Sequence, residues 1–335
     1  MKTRKIYIDP PSKAFYKNRF FTDSELNRDD CLRPYIELKK WLIKEGIEVN
    51  TFDLWDKKSG PIEYYSFGIL DNLDAVAIHP DVIMKGFYVF EPPIVDPSIY
   101  KSLPRLTSMF EEVYVHNTHG DGYSLDGVDL SKLKKLFWPQ PYEHVLEPFW
   151  QNEDRVKKVV VINGNHKPAS RRKELYSKRI EAMVFLSEKG LVDLYGRGWE
   201  RWTARSSMWV PYWKNRKKLL SIYKGSCESK FEVLSRYDFC LCFENMIMES
   251  YITEKLFDCL YAGVVPLYWG APDVEKFIPR DVYIDVQSFS GWDELAEYIK
   301  TMSASVIEYK REAGKKFIES ERMDAFSRLL CKNFS

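Results

Sequence analysis

The chain has 335 residues, 45% hydrophobic, 15% aromatic and 30% charged, which excludes disorder and collagen-like structure and is long enough for two domains, each with its own core. Lys and Arg number 50 against 49 Asp and Glu, a net charge of +1. No global field therefore recruits nucleic acid or an anionic membrane, and any basic site must be local.

In the first half, short apolar runs alternate with helix-period segments. Strands are expected at Lys5–Asp9, Glu48–Phe52, Ala75–Ile78, Phe87–Phe90, Val113–Val115 and Leu136–Trp138, with helices near Cys31–Glu45 and Ile99–Phe110. That rhythm belongs to βα units around a parallel sheet. A polar, turn-rich stretch between Pro139 and Val156 places the domain boundary near residue 150, giving domains 1–150 and 151–335. The second half repeats the rhythm: strands at Lys158–Asn163, Leu191–Tyr195, Tyr237–Phe243, Val264–Trp269 and Val282–Asp285, and helices over Ser170–Lys189, which Gly190 stops, Trp292–Met302 and Val306–Leu330. The fold class is α/β, with two Rossmann-like domains expected to face one another across a cleft and a C-terminal helix free to return to the N-terminal domain.

Six cysteines are scattered without a C-x-x-C pair or zinc spacing, and Cys240 and Cys242 alternate inside an apolar run as buried thiols would. A reducing compartment, the cytoplasm, is the simpler expectation. The N-terminus reaches Asp9 after three uncharged residues, so it does not read as a signal peptide, and no apolar run approaches membrane-spanning length.

Chemistry concentrates where Tyr237–Phe243 gives way to Glu244-Asn245 and, a few residues later, Tyr251-Ile252-Thr253-Glu254-Lys255 opens a helix. Thr253 is placed to cap that helix, and first-turn amides at a strand's carboxyl end attract phosphate. Lys255 is unfavourable to the helix dipole unless an anion lies beside it. The plainer reading is a capped helix with a solvated lysine.

Phe243-Glu244-Asn245, Tyr251 to Lys255, Pro266-Leu267-Tyr268-Trp269-Gly270 and Asp193-Leu194-Tyr195-Gly196-Arg197-Gly198 together resemble the signature of the α1,3/α1,4-fucosyltransferase family. The resemblance covers about Val159 to Phe289; the N-terminal half matches loosely. It implies a GT-B-like fold and an inverting transfer of L-fucose from GDP-fucose to a hydroxyl of an oligosaccharide acceptor, with α1,3 linkage. Carried across, Arg172 of Arg172-Lys173-Glu174-Leu175-Tyr176 matches the pyrophosphate-binding arginine, and Lys167, Arg171, Lys173, Lys178 and Arg179 read as a solvated face. Asn245, Tyr251, Thr253 and Lys255 fall at donor-binding positions, and Glu254 matches a glutamate near the donor's sugar. Glu254 alone would also read as a first-turn carboxylate favoured by the dipole.

Inversion requires a base on the opposite side of the sugar. The family's glutamate after an N-domain strand corresponds to Glu91 of Phe87-Tyr88-Val89-Phe90-Glu91-Pro92-Pro93, although Pro92 and Pro93 depart from the family's Gly-Glu-Asn form, and a strand-end carboxylate is the competing reading. No Asp-x-Asp pair occurs, and His116 and His119 lack further ligands, so neither a metal nor another cofactor is expected. The absence of an N-terminal anchor resembles bacterial members that decorate surface glycans; peripheral membrane contact stays open. The same machinery with another GDP-sugar, or a module that binds nucleotide sugar without catalysis, are the alternatives. Finally, Trp199–Lys224 combines four tryptophans with seven basic residues. It reads as a lid over the donor, with an acceptor platform, a membrane contact or a plain surface excursion as competitors.

Overall fold

The computed structural model describes residues 4–58, 60–204 and 207–334, and the chain divides into two compact units: Met1–Pro141 with Ala325–Ser335, and Tyr142–Asp324.

In the first unit, β1 (Lys5–Asp9), β2 (Glu48–Thr51), β3 (Ile62–Ser66), β4 (Val82–Tyr88), β5 (Glu112–Val115) and β6 (Leu133–Lys135) form one parallel sheet in the order β2-β1-β3-β4-β5-β6. Two expectations fail here. Ala75–Ile78 is not a strand: Leu73–Ala77 is a short helix that buries Leu73 and Val76, one turn apart, and leaves Ile78 84% exposed. A four-residue apolar run fits either period, and tertiary burial chose the helical one. The central strand β3 carries Tyr64 and Tyr65, both buried. Tyr64 donates to Asp9 Oδ2 at 2.9 Å, so a phenol fills a core position without losing its hydrogen bond. The last strand also begins three residues before the expected Leu136–Trp138.

Asp9, fully buried at the carboxyl end of β1, also accepts hydrogen bonds from Tyr16 at 3.0 Å and Asn72 at 2.7 Å. Its burial pushes the carboxyl pKa up against those three donors. The terminal helix Leu329–Phe334 completes this unit's core: Phe334 stacks on Tyr65 with ring centroids 4.1 Å apart, and Arg4 donates to the Phe334 carbonyl at 3.0 Å.

In the second unit, β7 (Val156–Ile162), β8 (Val192–Tyr195), β9 (Tyr237–Phe243), β10 (Val265–Trp269) and β11 (Ile284–Asp285) form a second parallel sheet in the order β11-β10-β9-β7-β8. Around it lie α1 (Tyr176–Glu188), α2 (Val210–Ser221), α3 (Glu254–Ala262), α4 (Trp292–Thr301) and α5 (Ala304–Ile318). The expected terminal helix breaks after Ile318. The first starts at Tyr176 rather than Ser170, because the backbone before it is committed elsewhere: Leu175 donates to the Asn245 carbonyl at 3.0 Å, and Lys173 accepts from Ile247 at 2.8 Å. Gly196, at φ 132°, lets β8 leave against β7; a Cβ there would lie 2.0 Å from the Asn163 carbonyl oxygen.

His116, 1% exposed at the end of β5, donates from Nε2 to the Phe90 carbonyl at 2.8 Å. Burial holds its pKa down at about 4, below the ordinary 6.5. Above pH 6.5 the imidazole is neutral folded and unfolded, so no stability depends on it. Between pH 6.5 and 4 only the unfolded chain takes up the proton, which removes about 3 kcal/mol. Denaturant titrations across that window should show wild type losing about 3 kcal/mol more than His116→Gln.

Candidate active site around the buried Glu244

The carboxyl end of β9 runs into the buried carboxylate of Glu244, which is 0% exposed. Its Oε1 accepts from the Thr253 amide at 2.8 Å, its Oε2 from the Thr253 hydroxyl at 2.8 Å, and Lys255 Nζ lies 3.4 Å from Oε2. Desolvation pushes the Glu244 pKa up, and Lys255 opposes it. Thr253 in turn caps α3, its hydroxyl accepting from the Lys255 amide. Glu244 therefore lies at the helix N-terminus as an internal anion, and the Thr253 amide and hydroxyl are committed to Glu244 and the cap.

Lys255 also differs from a solvated first-turn lysine. Its side chain is 20% exposed, and its ammonium donates to Thr253 Oγ1 at 2.9 Å and to Glu254 Oε1 at 3.3 Å. Two carboxylates hold one ammonium, so the cation is pre-aimed and already compensated. Glu254 Oε2 is covered and makes no hydrogen bond. Burial alone would raise the Glu254 pKa, but Lys255 and Lys230 outweigh it, and the carboxylate titrates below its ordinary value. Glu254, Lys255, Lys230 and Asp258 face a cavity of about 180 Å³ against the ends of β7 and β9, with Cys240, Cys242 and Cys259 on its apolar wall. Lys230 is paired with Asp258 at 2.8 Å.

Asn245 and Tyr251 meet, the Asn245 amide donating to the Tyr251 hydroxyl at 3.3 Å. The turn between them places Ser250 at φ 61°, a left-handed conformation that a serine adopts at a cost. Asp273 holds it there, accepting from the Ser250 amide at 2.6 Å and its hydroxyl at 2.9 Å. Arg172 is exposed on the loop before α1, and the bridge of Glu174 to Met246 lays that loop along the Asn245 turn. Arg172, Asn245, Tyr251, Thr253, Glu254 and Lys255 thus all attach to two neighbouring loops of one unit. Glu91 belongs to the other unit, three residues beyond β4, half-buried, with its carbonyl accepting from Tyr100 at 3.1 Å.

Three charged residues of this architecture escaped sequence reasoning. Glu244 and Asp273 act through tertiary contacts that leave no periodic trace. Arg179, read as part of a solvated face, is 3% exposed and donates to the Phe243 and Glu244 carbonyls at 2.6 and 3.1 Å. It lies on the stripe of Tyr176, Ile180, Met183 and Leu186, and that helical spacing was the available signal. The glycine of Pro266-Leu267-Tyr268-Trp269-Gly270 also gains a reason, since a Cβ at Gly270 would lie 2.5 Å from Glu244 Cγ. Among the described residues no group of three or more His, Cys, Asp or Glu is arranged to hold a metal ion.

Two parallel α/β sheets in one chain are the architecture of the GT-B fold class. A solved α1,3-fucosyltransferase shares this fold, with a TM-score of 0.54 over 99% of this chain and 90% of that one at 14% identity. Residues 152–313 match the model of glycosyltransferase family 10 (fucosyltransferase), C-terminal part, and the second unit is a domain of that glycosyltransferase family. A stretch of 81 residues is 47% identical to GDP-fucose protein O-fucosyltransferase 3 of Gallus gallus, covering 24% of this chain and 17% of that protein. Another of 73 residues is 41% identical to the α-(1,3)-fucosyltransferase FucT of Helicobacter pylori, covering 22% and 15%. These matches span less than a fifth of either relative's length.

Replacing Glu244 by Gln keeps its shape but removes the charge that Lys255 and Thr253 share. Breaking a buried pair costs about 3–5 kcal/mol. A denaturant titration of Glu244→Gln should show a loss of that size, whereas the same change at exposed Glu297 should move stability by less than about 0.5 kcal/mol.

Proposed function

We propose that the protein transfers L-fucose from GDP-fucose to a hydroxyl of a glycan acceptor, with inversion at the anomeric carbon and α1,3 linkage. The observation that carries this reading is the pre-aimed Lys255 beside the Arg172 loop, in a unit of the fucosyltransferase family. As the bond from the anomeric carbon to the β-phosphate oxygen breaks, negative charge collects on GDP. Arg172 and Lys255 stabilise it by charge-assisted hydrogen bonds, without a proton donor or metal. Thr253 serves the donor by holding Lys255 in place, and Asn245 with Tyr251 position the donor. The fucosyl carbon passes through an oxocarbenium-like state, which the ionised Glu254 favours electrostatically. Glu91 takes the proton of the attacking acceptor hydroxyl as the new bond to the anomeric carbon forms.

The 47% identity with a protein O-fucosyltransferase supports a second acceptor class, a peptide hydroxyl. Among the described residues no helix is long and apolar enough to cross a membrane. We place the reaction in the cytoplasm on the six free thiols.

Calorimetry tests the donor assignment. Arg172→Ala, a change at an exposed side chain, should weaken GDP binding about ten- to hundredfold, the worth of one charge-assisted contact. Unchanged affinity contradicts the assignment. Glu91→Gln should leave GDP binding intact and lower fucose transfer about 10²–10⁴-fold, with glycan and peptide acceptors both offered. Near-normal turnover would move the base to another carboxylate. Activity should persist in EDTA; loss restored by manganese would contradict the metal-free mechanism.

A further inference from the structure

The segment expected to form a lid is half core and half surface. Trp199 and Trp209 are 3% and 6% exposed, and Tyr212 is fully buried. Trp199 Nε1 donates to the Asn163 carbonyl at 2.7 Å, the Tyr212 hydroxyl donates to the Arg201 carbonyl at 2.6 Å, and Arg216 donates to the Glu200 carbonyl at 2.7 Å. Arg205, counted among its basic residues, lies outside the described residues. The first bond fastens the segment to the residue after β7 and the other two brace it internally, so its outward side chains are displayed on a fixed base.

That outward set is unusual in content. Of thirteen large apolar side chains exposed among the described residues, four fall between positions 202 and 213: Trp202 at 67%, Met208 at 54%, Val210 at 52% and Trp213 at 51%. Of the ten tryptophans, only Trp202 and Trp213 are exposed. The Arg216 guanidinium sits 4.3 Å over the Trp202 ring and fixes its face. Around them Arg201, Lys214 and Lys217 are exposed, and Glu200 is the one acidic residue from Trp199 to Lys224. A cluster of exposed apolar side chains marks a binding surface. Its composition selects the partner: indoles prefer the boundary between headgroups and acyl chains, and a segment whose cations far outnumber its single acid, Glu200, complements anionic headgroups.

We propose that Trp202, Met208, Val210 and Trp213, with Arg201, Lys214 and Lys217, form a docking surface for an anionic lipid bilayer. The protein as a whole carries a net charge of +1, so the attraction is a property of this face.

The test is flotation of the full chain with vesicles of phosphatidylcholine alone or mixed with phosphatidylglycerol, with tryptophan quenching by brominated lipid as a second readout. Wild type should float with the anionic vesicles, float less with the neutral ones, and be quenched. Lys214→Ala and Lys217→Ala should each lower partitioning about fivefold, and Trp202→Ser with Trp213→Ser should abolish quenching while GDP affinity stays at the wild-type level. Three results overturn the proposal: no binding of wild type to anionic vesicles, binding and quenching undiminished in the variants, or equal displacement from vesicles by soluble heparin and by RNA, which would make the face a general polyanion site.

Discussion

The second unit depends on one buried carboxylate. Glu244 stands at the carboxyl end of the central strand β9 with no exposure to water, and everything nearby is arranged to make that tolerable: the Thr253 amide and hydroxyl, the Lys255 ammonium and the dipole of α3. The same constraint explains why Gly270 carries no side chain, because the Glu244 methylene occupies the place of its Cβ. Three sequence motifs that look independent along the chain are thus the contacts of one side chain.

This arrangement has a chemical consequence. An ammonium between two carboxylates is rigid but electrostatically satisfied, so an incoming pyrophosphate must compete with Glu244 and Glu254 for it. The two contacts are nearly equal in length, 3.3 Å to Glu254 and 3.4 Å to Glu244, but Glu254 is the less anchored carboxylate, since its second oxygen makes no hydrogen bond. Glu244 remains fastened to the helix cap. In the proposed reaction, donor binding would turn the Lys255–Glu254 contact toward phosphate and leave Glu254 ionised beside the sugar. Arg172, exposed on its loop, offers a cation with no such competitor among the described residues.

Much of this was legible in the sequence where a single element decides it. The strand Tyr237–Phe243 and the Thr253 cap fall where alternation and capping chemistry put them. Misreadings occurred where burial decides between two local options. Ala75–Ile78 fits both periods, and β3 carries adjacent tyrosines whose core positions depend on distant partners such as Asp9 and Arg4. Buried charges were the least visible: Arg179 and Glu244 look solvated until the sheet end they serve is assembled. In Trp199–Lys224 the tryptophans share one composition but divide between core and surface, a division that only tertiary hydrogen bonds make.

The most direct test of the central claim is a crystal structure of the protein with GDP bound. The account predicts the β-phosphate within hydrogen-bonding distance, about 2.7–3.2 Å, of Lys255 Nζ and the Arg172 guanidinium, with Glu244 still bonded to Thr253. GDP seated away from both cations, with Lys255 still held between Glu244 and Glu254, would contradict it.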